Sequence, residues 1–333
     1  MPHANGALLG APHPGPYDAA DRTPPPGREK KLSKKVVVVG SINADLTVHV
    51  HRHPHPGETL AGSGGEISAG GKGANQAVAA ALQDAEVALI GAVGGDAYAR
   101  PATEYLRSSG VDLAAVAEVE GPTGLAVITV SADGENSIIV VPGANAAVNS
   151  EYVGGHAATI KEAAVLLLQG EIPAEGFARA IDSAGENTRV VVNLAPVVPV
   201  PREALVQADP LVANEHEAGL ILEQLGSPST SEDPADLARD LLRAGFASVV
   251  LTLGAKGALV AQGQEVTPIP TPTITPVDTT GAGDAFAGAL AARLARGSSL
   301  IDAAHHAARV GAYAATGHGA QASYPGMEDE LPG

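Results

Sequence analysis

Two glycine-rich stretches hold the residues whose types and spacing could do chemistry. One is Asp278-Thr-Thr-Gly-Ala-Gly-Asp284. Beyond it Phe286, Leu290 and Leu294 recur every fourth residue, the stripe of a helix with a buried face. That spacing puts Asp284 in the first turn of the helix. Gly281 and Gly283 carry no Cβ, so the backbone around Ala282 can close on an anion without a clash. A helix start also offers unpaired N–H groups and the positive end of the helix dipole. Charge developing on a transferred phosphoryl group would be stabilised there, and the Asp284 carboxylate could take the proton of an attacking hydroxyl. By themselves the same residues also fit a glycine turn followed by an acidic cap.

The other stretch is Gly70-Gly-Lys-Gly-Ala-Asn-Gln-Ala77, opening a segment with Ala77, Val78, Ala81 and Leu82 as its buried stripe. Its spacing is neither that of a P-loop nor that of a dinucleotide fingerprint. It offers a backbone open to close approach, with Lys72 and Asn75 as donors, which suits a ligand rich in hydroxyls. Asn43 and Asp45 follow the first apolar run. A carboxylate there can accept from two vicinal hydroxyls, although an Asx turn at a strand end uses the same residue types. Asn214-Glu-His-Glu217 reads on its own as a helix cap with first-turn acids. His216 has no His or Cys partner at metal-ligand spacing.

These residues need a scaffold. Val36–Val39 is an apolar run suited to a strand buried on both faces, and Val87–Ile90, Val165–Leu168, Val190–Val192 and Val249–Leu253 are further strand candidates. Between them Ala74–Gln83, Ala99–Ser108, Pro234–Arg243 and Asp284–Ala295 are predicted helical. The alternation predicts an α/β fold, a three-layer αβα sandwich around a mostly parallel sheet. Thr47–Ile67 and Ala117–Val141 break it and read as antiparallel ribbon, the second turning at Asp133-Gly134. Together they would form a small β-sheet lid over a site. Residues 1–34, rich in Pro, Gly and His and ending in a basic run, read as a disordered extension. One domain over 35–328 and a short tail at 329–333 complete the expected organisation.

Composition narrows the function classes. In 333 residues, 45% are hydrophobic but only 3% aromatic, so the core must be Ala, Val, Leu and Ile. The absence of Cys excludes disulfides, thiolate zinc sites and Cys nucleophiles. A net charge of −17 argues against a nucleic-acid partner, which needs a basic face. With no long apolar run and no leader pattern, the chain is expected to be cytoplasmic and free of membrane contact.

The pair GGKGANQA and DTTGAGD resembles the two signatures of the ribokinase (PfkB) carbohydrate-kinase family, and the likeness runs from Val36 to Pro325. Gly40-Ser-Ile-Asn-Ala-Asp45, Gln169-Gly-Glu171, Asn193-Leu-Ala-Pro196, Asn214-Glu-His-Glu217, Thr252-Leu-Gly-Ala-Lys-Gly257 and Gly319-Ala-Gln-Ala-Ser323 match in order. The resemblance implies transfer of the ATP γ-phosphate to O5 of D-ribose. Asp284 is then the base, and Gly281, Ala282 and Gly283 form the anion hole. It implies that Asn43 and Asp45, at the end of the first strand, hold the sugar with Gly70, Gly71, Lys72, Asn75 and Glu171. It assigns the nucleotide to Asn214, Thr252, Leu253, Gly254, Ala255, Lys256, Gly257 and Gly283. Glu217 would meet Mg²⁺ through water. An activating K⁺ would lie among Asp278, Thr280, Ala314, Gly317, Gly319 and Ser323, mostly on carbonyls. Ala308 stands where many relatives carry an Asn near adenine. The resemblance also implies a homodimer through the lid. Kinases of the same family acting on deoxyribose, fructose, a ketodeoxy acid or a nucleoside are the nearest alternatives, and a silent sugar- or nucleotide-binding regulator is a more distant one.

Overall fold

Val36, Val37, Val38 and Val39 have no exposed surface. Because strand side chains alternate, Val36 and Val38 enter one apolar cluster and Val37 and Val39 another, on opposite faces of one sheet. A strand covered on both faces needs no polar alternation, which is why the run is continuous. A computed structural model describes residues 34–333. The predicted extension 1–34 lies, but for its last residue, outside them.

The central sheet contains β1 (Lys35–Val39), β4 (Glu86–Gly94), β5 (Asp112–Val119), β8 (Val165–Gln169), β9 (Arg189–Asn193), β10 (Leu211–Asn214), β11 (Ser248–Thr252), β12 (Ala258–Gln262) and β13 (Glu265–Ile269). Its order is β13-β12-β11-β10-β9-β8-β1-β4-β5. The pairs from β11 through to β5 are parallel, and β12 and β13 add an antiparallel edge. Helices Lys72–Leu82, Ala282–Ala295 and Leu300–Ala314 cover one face. Ala174–Asp182, Glu215–Gln224 and Pro234–Ala244 cover the other. The expected three-layer sandwich is observed.

The second sheet has the order β3-β2-β6-β7, from β2 (Asn43–His49), β3 (Ser63–Gly70), β6 (Gly124–Val130) and β7 (Asn136–Val141). As expected, the ribbons share one small sheet, its two hairpins joined by a parallel pairing of β2 with β6. It departs from the expected ribbons in two ways. Ala117–Val119 stays in the central sheet on β5, parallel to β4. Asn43 and Asp45 do not extend the first strand: the chain leaves the central sheet after β1, and both residues ride on β2 in register with Gly70 and Ser68. A further difference is the expected Ala99–Ser108 helix, which is two short pieces, Ala99–Ala102 and Glu104–Ser108. Thr103 Oγ1 donates to the Ala99 carbonyl (2.8 Å) at the break.

Residue size brings two distant helices together. A Cβ on Gly288 would lie 2.5 Å from the Gln76 carbonyl oxygen and 2.6 Å from Ala79 Cβ. Only Gly lets the Ala282–Ala295 helix approach Lys72–Leu82 so closely, and that approach sets Asp284 beside Asn75 and Gln76. The C-terminal residues are tied down as well: Arg309 donates to the carbonyls of Leu331 (2.9 Å) and Pro332 (2.8 Å). Among the described residues, no helix is long and apolar enough to cross a membrane.

Candidate active site

Strands β8, β9, β10 and β11 each end on a polar residue: Gln169, Asn193, Asn214 and Thr252. The carboxyl ends of parallel strands are where open α/β sheets place their ligands, because the loops diverge there and helix starts point inward. Asp284 sits at this end, in the first turn of its helix and 6% exposed. Asn75 Nδ2 donates to its Oδ2 (2.9 Å) and Gln76 Nε2 to its Oδ1 (2.9 Å).

The loop before Asp284 is held open by Gly281 in the left-handed region, φ 74°. Tyr324 Oη donates to the Gly281 carbonyl (3.0 Å), and a Cβ on Gly281 would lie 2.5 Å from that oxygen. Burial, with Asp284 and Asp45 nearby, pushes the Tyr324 hydroxyl well above its ordinary range, so it remains a donor. The Ala282 N–H donates to the Thr279 carbonyl (3.2 Å), whereas the space beside Gly283 is open.

On one side of Asp284 lies a cluster of carboxylates around Lys72. Asp284, before Glu171, Glu217 and Asp45, raises the Lys72 ammonium above its usual range, against a burial that would lower it. Glu171 Oε2 accepts from Ser41 Oγ (2.5 Å) and from the Lys72 N–H (3.0 Å). Asp45 is pushed up to about 7, first by burial and then by the charges of Glu171 and Asp284, with Lys72 opposing. Its Oδ1 is buried without a hydrogen-bond partner. The carboxylate occupies the space a Cβ would take on Gly70, 2.1 Å from Oδ2. Asn43 is buried, and its Oδ1 accepts from Asn145 Nδ2 (2.7 Å), leaving the amide N–H₂ as the group it can offer. Gly71 caps the helix that begins at Lys72. The predicted sugar-side residues therefore converge, although Asn75 is already bonded to Asp284 and to Gln321 Nε2 (2.8 Å).

On the other side is a cavity of about 800 Å³. Asn214, Thr252, Leu253, Gly254, Ala255, Gly257 and Gly283 line it, together with Ala308. Lys256 does not line it and is exposed. Thr271, Pro272, Ile274 and Phe286 form walls that the sequence did not single out. Asn214 and Glu217 make a reciprocal capping box: Glu217 N–H donates to Asn214 Oδ1 (2.8 Å) and Asn214 N–H to Glu217 Oε2 (2.9 Å). The bland reading of the motif is therefore realised, and Glu217 still contributes to the field on Lys72. Among the described residues, no group of three or more His, Asp and Glu gathers as a metal cage.

The third set of predicted residues also meets. Asp278 Oδ1 accepts from the Thr280 N–H (2.9 Å) and Oδ2 from the Gly319 N–H (2.9 Å). Burial would raise this carboxyl, but those bonds outweigh it and hold it below the usual range. The Gly317 N–H donates to the Ala314 carbonyl (3.3 Å), and the position of a Gly317 Cβ lies 2.8 Å from Ser323 Cβ. Gln76, Gln169, Asn193, Gln321 and Tyr324 were missed. Gln76 stood inside the glycine-rich motif, and Gln169 and Asn193 ended apolar strand runs.

A helix start thus lies between a polar cluster and a large cavity, on a mostly parallel αβα sandwich with a small second sheet. Residues 33–327 match the pfkB family of carbohydrate kinases, and the chain belongs to that family. A ribokinase of Schizosaccharomyces pombe is 36% identical, over 88% of this chain and 95% of its own. A deoxyribokinase of Salmonella typhi is 33% identical, over 88% of this chain and 96% of its own. The structure of an Arabidopsis thaliana ribokinase complexed with ribose and ATP superposes with a TM-score of 0.77, at 32% identity, covering 88% of this chain and 96% of that one.

Proposed function

We propose that this enzyme transfers the γ-phosphate of ATP to O5 of D-ribose, giving ribose 5-phosphate and ADP. One observation carries the reading: a single helix start puts Ala282 and Gly283 on the wall of the cavity and Asp284 against the Lys72 cluster. A phosphate held over Gly281, Ala282 and Gly283 and a hydroxyl held beside Asp284 would meet there. Asp284 takes the hydroxyl proton as the oxygen attacks, and backbone N–H groups receive the charge of the transferred group.

Asp45, with its unpartnered buried oxygen, would accept from sugar hydroxyls. Asn43, Lys72 and Asn75 would donate, and Gly70, Gly71 and Glu171 would complete the wall. ATP would fill the cavity of Asn214, Thr252, Leu253, Gly254, Ala255 and Gly257. Ala308 there can give adenine contact but no side-chain hydrogen bond. Lys256 could join only by turning from solvent. With no all-protein cage, the residues fit an Mg²⁺ ion held by phosphate and water, with Glu217 in its outer sphere. When bound, it supplies positive charge to phosphate oxygens. Asp278, Thr280, Ala314, Gly317, Gly319 and Ser323 would offer backbone carbonyls and the Asp278 carboxylate, a donor set suited to K⁺, and would brace the loop before Asp284.

The relatives include a deoxyribokinase, so the 2-hydroxyl is the point at issue. ADP release measured across ribose, deoxyribose, fructose and nucleosides, in K⁺ and in a large inert cation, tests the proposal. Ribose should give the highest kcat/KM, and K⁺ should raise turnover. A higher kcat/KM for another sugar, or equal rates in the two cations, would overturn the corresponding part.

A further inference from the structure

We infer that Gln76 is the residue that positions the Asp284 carboxylate, through a buried chain of amides that begins on the central sheet; the inference rests on Asp284 being the base, as proposed above. A side-chain amide can face either way, so its direction must be set by a neighbour that has no choice. The Val212 carbonyl is such a neighbour, since it can only accept. Asn193 Nδ2 donates to it (3.1 Å), which turns Asn193 Oδ1 toward Gln76. Gln76 Nε2 donates to that oxygen (2.9 Å), and Gln76 Oε1 accepts from Gln169 Nε2 (2.7 Å). Both ends of the Gln76 amide are thus fixed in the sense that delivers its second N–H to Asp284 Oδ1 (2.9 Å).

The opposite oxygen is served from elsewhere. Gln321 Nε2 donates to Asn75 Oδ1 (2.8 Å), which turns Asn75 Nδ2 onto Asp284 Oδ2 (2.9 Å). Rotating the carboxylate would break both bonds in a region where water cannot replace them, since Gln76 is 0%, Gln169 1% and Gln321 3% exposed. Gln76 does not line the nucleotide cavity. Its amide is spent wholly on Asp284, Asn193 and Gln169. Gln169 keeps a buried Oε1 with no partner, so the bond to Gln76 is what its amide contributes. Donors on both oxygens hold the carboxylate in one plane.

The test uses the full chain with kcat measured against pH at saturating sugar and ATP. Gln76→Glu keeps the shape and the bond from Gln169 but puts an acceptor against Asp284 Oδ1 and Asn193 Oδ1. Its kcat should fall by about 10- to 100-fold with both KM values within about threefold. The acidic limb of the profile should move up, because the new side chain is itself an acid packed against Asp284. Gln169→Met touches neither Asp284 nor ligand and sheds the unpartnered oxygen. It should shift the limb in the same direction with a smaller fall in kcat, and it decides the matter if Gln76→Glu does not fold. An unmoved acidic limb in the folded variants, with losses that follow thermal midpoint alone, would overturn the positioning role. Asp284→Asn in the same assay separates the two ideas: retained turnover there sinks the base itself, whereas lost turnover with unmoved limbs in the glutamine variants sinks only this inference.

Discussion

At the residue scale, Asp284 is buried and Asp45 partly buried, and the two acids have opposite surroundings. Asp284 receives an N–H on each oxygen, whereas Asp45 has an oxygen with no partner and two like charges nearby. Replacing Asp284 by Asn removes the proposed proton acceptor while keeping the shape. Turnover should drop by about 10²- to 10⁴-fold, while the ATP dissociation constant, measured by titration calorimetry, stays near its original value. In its proposed role, Asp45 would make sugar binding depend on pH. With its carboxyl pushed up to about 7 from an ordinary 3.8, the free protein carries a proton there below neutrality. The carboxylate is the form that accepts two hydroxyl donors. The sugar dissociation constant should therefore rise as pH falls below about 7, approaching tenfold per unit, and level off above it. The sign for stability is reversed: the buried charge costs most above pH 7, and that cost fades as pH falls from 7 toward 4. Sugar affinity that stays flat between pH 5.5 and 8.5 would count against this role for Asp45.

At the scale of elements, two glycines in one loop do different things. Gly281 has φ 74° and no room for a Cβ beside Tyr324, so Gly281→Ala should lower both thermal stability, by about 1–3 kcal/mol, and turnover. Gly283 has nothing within 4 Å of its Cβ position, but that space opens toward the cavity. Gly283→Ala should leave the melting temperature nearly unchanged and reduce turnover, because the methyl group enters the place proposed for phosphate. Equal melting losses in the two variants would show that the loop is stabilised as a unit rather than shaped for an anion. The Tyr324 bond belongs to the same element. Its loss in Tyr324→Phe leaves the Gly281 carbonyl with the Ala285 N–H (2.8 Å) as its donor and should cost about 1 kcal/mol in chemical denaturation.

At the scale of the whole molecule, the described residues present an exposed apolar edge. Ile138, Ile139, Val140 and Val141 on β7 are 53%, 67%, 47% and 43% exposed, and Ile67 on β3 is 43% exposed. Open strands with such side chains are a liability unless another surface meets them, which supports the pairing of two chains through the lid that the family resemblance implies. Ile139→Lys should convert a dimer into a monomer by analytical ultracentrifugation while the secondary structure is kept. A chain that sediments as a monomer before the substitution would remove the proposal.

What the sequence determined alone was local. The apolar runs of Val36–Val39 and Val165–Leu168 declared strands buried on both faces, and the stripe Phe286, Leu290, Leu294 put Asp284 in a first helical turn. Those patterns are written in neighbouring residues, so no partner is needed to read them. The tertiary structure decided what depends on partners far away in the chain. It joined both ribbons into one lid through β2 and β6, and it carried Asn43 and Asp45 onto that lid. It committed Asn75 to Asp284, and it assembled Gln76, Gln169, Asn193 and Gln321 from four separate segments. Periodicity specifies which face of an element is buried but not what lies against it, and a polar side chain at a strand end shows its role only once the helix it meets has closed on the sheet.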